Sequence, residues 1–208
     1  MSELLTFNND IMDIIVNNID YESHLIVGLT CKEMYKILKT TNENKKLIAS
    51  LKYITSNTNL LKYAHFNKCP LNINTIKNII NVKNKESLEC LKYAHENGCV
   101  WIPEICMLVA ENGHLECLKY AHENGCPWSE YTCSCAALGG HLECLKYCHE
   151  NGCPWHESVS HRAAYNGQLE CIKYCHENGC PFSPYTCIVA DRNGHLECVK
   201  YCRDNWLS

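Results

Sequence analysis

The 208-residue chain has no apolar run near the roughly 20 residues that a bilayer-spanning helix needs, so no transmembrane segment is predicted. Met1 to Asp10 has neither a basic nor an apolar stretch, so no export signal is read there and a cytoplasmic location is expected. An excess of one charge is missing too. The 19 Lys and Arg stand against 23 Asp and Glu, and Lys and Glu alternate rather than cluster, which leaves no broad electrostatic footprint for nucleic acid or membrane. No stretch alternates apolar and polar residues for long enough to predict a strand. A phosphate-cradling Gly-rich loop, an H-E-x-x-H and a G-x-S-x-G are all absent, so the chain is read as a non-enzyme with no catalytic residue and no cofactor.

What is abundant is cysteine: 18 residues, a fraction usual in small secreted disulfide scaffolds. Those scaffolds are short and loop-rich, whereas this chain is long, and a cytosolic location would keep its thiols reduced. The spacing of the cysteines is more informative than their number. The segment Leu88-Glu-Cys-Leu-Lys-Tyr-Ala-His-Glu-Asn-Gly-Cys99 returns at Leu115, at Leu142 with Cys148 in place of the Ala, at Leu169, and in truncated form at Leu196, each copy 27 residues after the last. An earlier copy, Leu61-Lys-Tyr-Ala-His65, lies 30 residues before Leu91, which implies about three extra residues between Asn81 and Ser87.

Each unit reads as two short helices. The first follows a turn bearing Trp101, Trp128, Trp155 or Phe182, with Ser129 and Ser183 as N-caps and Pro103 and Pro184 in the first helical turn. Gly113, Gly140, Gly167 and Gly194 fall where a left-handed residue closes that helix. The second helix opens at His114, His141 or His195, carries one apolar face such as Leu115, Cys117, Leu118 and Ala121, and ends at Gly98, Gly125, Gly152 or Gly179. A pair of helices of this length cannot bury an apolar face alone, so the units must stack.

The segment Gly113-His-Leu-Glu-Cys-Leu-Lys-Tyr-Ala-His-Glu-Asn-Gly-Cys126 resembles the second half of an ankyrin repeat, G-H-x-x-I/V-V-x-x-L-L-x-x-G-A. Tyr131-Thr-Cys-Ser-Cys-Ala-Ala137 sits where that family has T-P-L-H-x-A-A. The expected fold is therefore all-α: an ankyrin-like α-solenoid over residues 44–208, in about six helix pairs (44–69, 70–99, 100–126, 127–153, 154–180 and 181–208), preceded by a small helical segment at 1–40. The ankyrin period is about 33 residues, and the shortfall lies between Cys126 and Tyr131. There the family places a β-hairpin finger, so these units are expected to lack fingers and to use the Trp turn instead.

On this register 17 of the 18 cysteines lie within the array, and nearly all of them fall in columns. Cys90, Cys117, Cys144, Cys171 and Cys198 fill the family's Ile/Val position. Cys69, Cys99, Cys126, Cys153 and Cys180 replace a small Ala. Cys148, Cys175 and Cys202 take a buried Leu/Ala position, and Cys106, Cys133 and Cys187 a core Leu. Buried thiols act as small hydrophobes, so no metal ligand is assigned. The rival reading is a Cys/His metal-binding solenoid using Cys144/Cys148, Cys171/Cys175, Cys198/Cys202 or His95 with Cys99. Against it stands a helix separation of roughly 8–10 Å. His95, His122, His149 and His176 recur in every unit and are read as scaffold.

Binding specificity is sought where the units differ. Glu104, Tyr131, Ser158 and Tyr185 form one variable column on the first helices, and Glu111, Leu138, Tyr165 and Arg192 another, with His161 and Arg162 between them. In ankyrin-like stacks the first helices line the concave surface, so the resemblance implies a protein partner there, contacted by Glu104, Glu111, Tyr131, Leu138, His161, Arg162, Tyr165, Tyr185 and Arg192. A solvated face under no constraint is the alternative.

At the N-terminus, Phe7-Asn-Asn-Asp10-Ile11, Ile14-Ile15-x-x-x-Ile19-Asp20 and Leu29-Thr-Cys-Lys-Glu-Met-Tyr35 resemble an F-box, with Asn8 where that motif has its proline. The resemblance implies a contact with Skp1 through Phe7, Ile11, Ile14, Ile15 and Leu29, and hence a substrate-recognition adaptor of a cullin-type ubiquitin ligase. A helical cap shielding the first repeat, on a plain binding or decoy scaffold, is the alternative. An F-box-like segment before Cys-rich ankyrin-like units is similar to proteins of giant amoeba-infecting DNA viruses and of amoebae, which for a viral protein implies the host cytoplasm.

Overall fold

The computed structural model describes residues 58–66, 71–81 and 85–206, apart from the side chains of Leu60, Tyr63, Ala64 and Trp206. Among the described residues there are eleven helices and no strand. None is long and apolar enough to cross a membrane. The F-box-like positions Phe7, Ile11, Ile14, Ile15 and Leu29 lie outside the described residues, as does Cys69.

The chain divides into two compact units, residues 1–97 and 98–208. In the first, α1 (Thr58–Phe66), α2 (Ile73–Asn81) and α3 (Ser87–Glu96) enclose Leu61, Ile76, Ile79, Ile80, Cys90 and Leu91. Asn72 starts α2, its Oδ1 accepting from the Asn74 amide at 2.9 Å. Five residues, 82–86, separate α2 from α3, whereas two separate the helices of a pair such as Pro103–Asn112 and Leu115–Glu123. The three extra residues inferred from the repeat spacing are here.

The second unit is a stack of four helix pairs: α4 (Pro103–Asn112) with α5 (Leu115–Glu123), α6 (Glu130–Gly139) with α7 (Leu142–Glu150), α8 (Ser158–Tyr165) with α9 (Leu169–Glu177), and α10 (Pro184–Arg192) with α11 (Leu196–Trp206). Each first helix packs on its own second helix and on the first helices before and after it. The unit is an α-solenoid.

Local chemistry sets the ends of these helices. Pro103 and Pro184 open α4 and α10 after extended residues, where the missing amide costs nothing. At α6, Ser129 and Thr132 form a reciprocal capping box. Ser183 precedes α10 in the same extended conformation without a side-chain cap. At the far end of α4, Gly113 has φ +75°, and the amides of Gly113 and His114 fold back onto the carbonyls of Ala110 and Val109 at 3.2 and 3.1 Å. Second helices end through their asparagines: Nδ2 of Asn97, Asn124, Asn151 and Asn178 donates to the carbonyl of the tyrosine four residues earlier, at 2.8–2.9 Å.

The two kinds of helix pack differently. Second helices bury a narrow stripe, Cys117, Leu118 and Ala121 on α5 and Cys144, Leu145 and Cys148 on α7, with Lys119 and Lys146 outside, each paired to the glutamate three residues before it. First helices bury small residues. Thr132, Cys133, Ser134, Cys135, Ala136 and Ala137 are all buried on α6, because α4 and α8 press on it from both sides. That approach is close enough that a methyl group on Gly139, whose backbone is ordinary helix, would run into the carbonyl oxygen of Glu111 on α4.

Candidate functional site

The recurring histidines tie one repeat to the next. His122 Nδ1 lies 3.0 Å from the Tyr147 hydroxyl, His149 Nδ1 2.9 Å from that of Tyr174, and His176 Nδ1 3.0 Å from that of Tyr201. In the first unit His65 Nδ1 meets Tyr93 in the same way at 2.9 Å. The turn between one repeat and the next closes the arrangement. Trp128 stacks on His122 with centroids 3.6 Å apart, Trp155 on His149 at 3.7 Å, and each indole also faces the tyrosine of the following second helix. Phe182, lacking the larger ring, sits tilted at 5.6 Å from His176. Burial raises the phenol pKa of Tyr147, Tyr174 and Tyr201, keeping each hydroxyl protonated.

A second ladder runs along the corner between the helices of a pair. The His141 ring lies on Gly113, the Gln168 amide on Gly140 and the His195 ring on Gly167, contacts that a β-carbon would prevent. His195 Nε2 also meets the Tyr165 carbonyl at 2.9 Å. The Gly-His step of the repeat is therefore an inter-repeat joint: the glycine of one unit seats the ring of the next. Among the described residues the first ladder joins His65, His122, His149 and His176 to the tyrosines of the following second helices, and the second joins Gly113, Gly140 and Gly167 to His141, Gln168 and His195.

What varies lies on the first helices. Tyr131, Tyr165 and Tyr185 are 49, 57 and 49% exposed and Ile188 is 45% exposed, a concentration of large apolar side chains that a soluble surface does not need. Glu104, Glu111, Arg162 and Arg192 are exposed beside them, and Leu138 and His161 are half-buried. His161 is held rather than free: Nε2 lies 2.9 Å from the Ser183 hydroxyl and its ring meets Tyr185 edge-on at 5.0 Å, while burial lowers its pKa and favours the neutral imidazole. Ser158 turns inward, to Ser134 Oγ at 3.0 Å and to His156 Nδ1 at 2.9 Å, and His156 in turn meets Glu130 at 3.2 Å. The structure therefore places these nine residues on consecutive first helices, four of them in inter-repeat contacts: His161 with Ser183 and Tyr185, Leu138 through its carbonyl with Asn166, and Tyr165 through its carbonyl with His195.

The cysteines are buried free thiols, with Cys187 alone among those described lying half-exposed rather than in the core position expected of it. Burial raises the thiol pKa of Cys144 to about 11 and of Cys171 to about 12. Three sulfurs converge. Cys133 on α6, Cys148 on α7 and Cys153 in the turn beyond it lie within 4.8 Å of one another, all buried. Hydrogen bonds from Cys133 and Cys148 lower the pKa of Cys153, and the bond with Cys133 raises that of Cys148. The helix-separation argument against convergent thiols thus fails at this point: the group lies inside one repeat, where side chains from the two helices of a pair point at each other. It is not the set Cys144/Cys148, Cys171/Cys175 or Cys198/Cys202 that the sequence spacing suggests. Reading the columns side by side would have found it, because residues 127–153 are the repeat in which all three columns hold cysteine.

With this geometry in view, residues 133–174, from the middle of α6 to α9, match the profile of ankyrin repeats (many copies). The match covers one complete helix pair joint and its Gly-His step, the part of the unit that carries the family's pattern. No curated protein matches the chain. Ankyrin repeats are characteristically protein-interaction scaffolds rather than catalysts, and the six-residue deficit per unit falls at the turn where Trp128 and Trp155 now stack.

Proposed function

We propose that this protein is a protein-binding scaffold whose recognition surface is the variable row on its first helices, with Tyr131, Tyr165, Tyr185 and Ile188 as apolar anchors and Glu104, Glu111, Arg162 and Arg192 as charged neighbours. The single observation that carries the reading is the contrast between helices in what varies: the second helices repeat nearly the same side chains in the same contacts, while the outward positions of the first helices change from unit to unit and include the exposed Tyr131, Tyr165, Tyr185 and Ile188. Tyrosine and arginine are the side chains that most often dominate protein interfaces. Leu138 and His161 shape the floor of that row from within the inter-repeat contacts. The chain itself carries out no chemistry.

The test is recovery of partners from cytosol by the full-length chain, followed by binding measurements with Tyr131→Ala and Tyr185→Ala. Loss of a hot-spot residue costs at least about 2 kcal/mol, roughly 30-fold in affinity. Unchanged affinity in the double variant, with its thermal unfolding intact, would refute the assignment of the face. The F-box-like pattern at Phe7, Ile11, Ile14, Ile15 and Leu29 favours one specific use of the scaffold, in which that segment docks on Skp1 and the repeats hold a substrate for ubiquitination. Co-purification with Skp1 that is abolished by Ile14→Asp with Ile15→Asp supports this adaptor role. Absence of Skp1 from wild-type complexes reduces the function to a plain binding or decoy scaffold.

A further inference from the structure

The thiols of Cys133, Cys148 and Cys153 stand apart from the binding face and from both ladders. Their sulfur atoms lie within 4.8 Å of one another, and the residues are 0, 0 and 3% exposed. The neighbouring repeats show what the same positions look like without a third sulfur: Cys106, Ala121 and Cys126 in one, Ser160, Cys175 and Cys180 in the next. The fold therefore tolerates alanine or serine here, and the packing does not demand a third thiol. We propose that Cys133, Cys148 and Cys153 form a three-coordinate thiolate site for a soft monovalent d10 ion, copper(I).

The donor set selects the ion. Three sulfurs and no side-chain nitrogen or carboxylate make up the group, and thiolates favour Cu(I), zinc and iron–sulfur chemistry over hard cations. A closed zinc site takes four ligands, and among the described residues no fourth His, Cys, Asp or Glu joins the group; the oxygens that accept from its thiols are the backbone carbonyls of Ser129, 3.3 Å from Cys153 Sγ, and of Cys153, 4.0 Å from Cys133 Sγ. For a planar three-sulfur site with bonds of about 2.3 Å, the sulfurs stand about 4.0 Å apart, so contraction by a fraction of an ångström suffices. The group lies close beneath the surface: Cys153 follows Asn151 and Gly152 and precedes Pro154, all exposed. Each sulfur that binds releases its thiol proton to solvent, and copper stays Cu(I) throughout, so no oxidant or reductant is consumed.

The experiment titrates the full-length chain anaerobically, in phosphine reductant, with Cu(I) supplied as its acetonitrile complex against bathocuproine disulfonate. Wild type is expected to hold one copper per chain against the competitor, with X-ray absorption showing three sulfurs at about 2.3 Å. Cys148→Ala and Cys133→Ser, which copy Ala121 and Ser160 of the adjacent repeats and so retain a tolerated core, are expected to weaken that site about 100-fold, or 2.7 kcal/mol. Cys175→Ala in the next repeat is expected to leave it intact. Equal retention by wild type and Cys148→Ala, equal loss in Cys175→Ala, or tighter four-coordinate binding of Zn2+ in a parallel titration would each overturn the proposal.

Discussion

If sulfur serves mainly as packing material in this core, alkali should unfold the protein in a way that two named residues control. Cys144 and Cys171 occupy the same column on α7 and α9, are 2 and 1% exposed, and have thiol pKa values raised from 9.0 to about 11 and about 12 by burial. A raised thiol pKa means that the folded state keeps a proton the unfolded chain gives up. The associated stability is complete below pH 9 and is lost as pH rises through 9 toward the folded values. At pH 10 the unfolded thiol is about nine-tenths ionised and the buried one is still mostly neutral, which costs about 1 kcal/mol per residue relative to pH 8, and about 2–3 kcal/mol for the pair. Domain stabilities are about 5–15 kcal/mol, so the loss is measurable.

The assay is urea unfolding followed by far-UV circular dichroism at pH 8, 9 and 10 in phosphine reductant, on wild type and on Cys144→Val with Cys171→Val. Valine keeps the site apolar and close in volume but cannot ionise. Lysine and tyrosine titration is common to both proteins and cancels in the comparison. The double variant should therefore lose about 2–3 kcal/mol less than wild type between pH 8 and pH 10. Equal losses would show that these thiols ionise freely in the folded state, and the description of the cysteine columns as buried hydrophobes would be wrong.

Three further outcomes test the turns and the joints between repeats. Gly139→Ala should be destabilising by about 1–3 kcal/mol, the range for overpacking, even though alanine is the better helix former by about 1 kcal/mol, because its methyl meets the Glu111 carbonyl; a rise in thermal midpoint would show that α4 and α6 are further apart than described. Gly152→Ala, with φ +80° and open space around it, should cost only the left-handed backbone term of about 1–2 kcal/mol. For the aromatic ladder, a double-mutant cycle on His149→Leu and Tyr174→Phe should return a coupling energy of about 0.5–1.5 kcal/mol; additive effects would mean that the 2.9 Å contact contributes nothing.

Much of this architecture is readable from periodicity because the repeat is its own control. Gly113, Gly140, Gly167 and Gly194 fall where a chain must turn left-handed, Pro103 and Pro184 where a helix can start without an amide donor, and the observed backbone agrees at each. What could not be read was partnership across repeats. The tyrosine of Leu-Lys-Tyr is one more residue on a helix surface until the stack sets its hydroxyl against the histidine 25 positions earlier. The offset depends on the rise and rotation from one pair to the next, which sequence spacing does not contain. The converging thiols were hidden for a related reason. Distances between helix axes say nothing of two side chains leaning toward each other within a single pair, and separations of 15 and 5 residues resemble no familiar ligand spacing.

The division of labour between the two helices explains how such a chain can vary in recognition without losing its fold. Both ladders draw on the second helices and on the turns: His122 with Trp128 and Tyr147, and His141 against Gly113. The first helices contribute small buried residues whose close packing depends on volume rather than on chemistry, so cysteine, serine, threonine and alanine exchange along the columns while the polar ones find partners, as Ser160 does with Thr186 at 3.2 Å. The side chains at their outward positions enter neither ladder; Tyr165 joins the second through its backbone carbonyl alone. Replacing Glu104 by tyrosine at the next unit, and tyrosine by serine after that, leaves the inter-repeat contacts of the second helices untouched. Stability is thus set by residues that repeat; on the function proposed above, binding falls to residues that do not, and the exposed tyrosines, rather than the more numerous histidines and cysteines, are where a protein partner is to be sought.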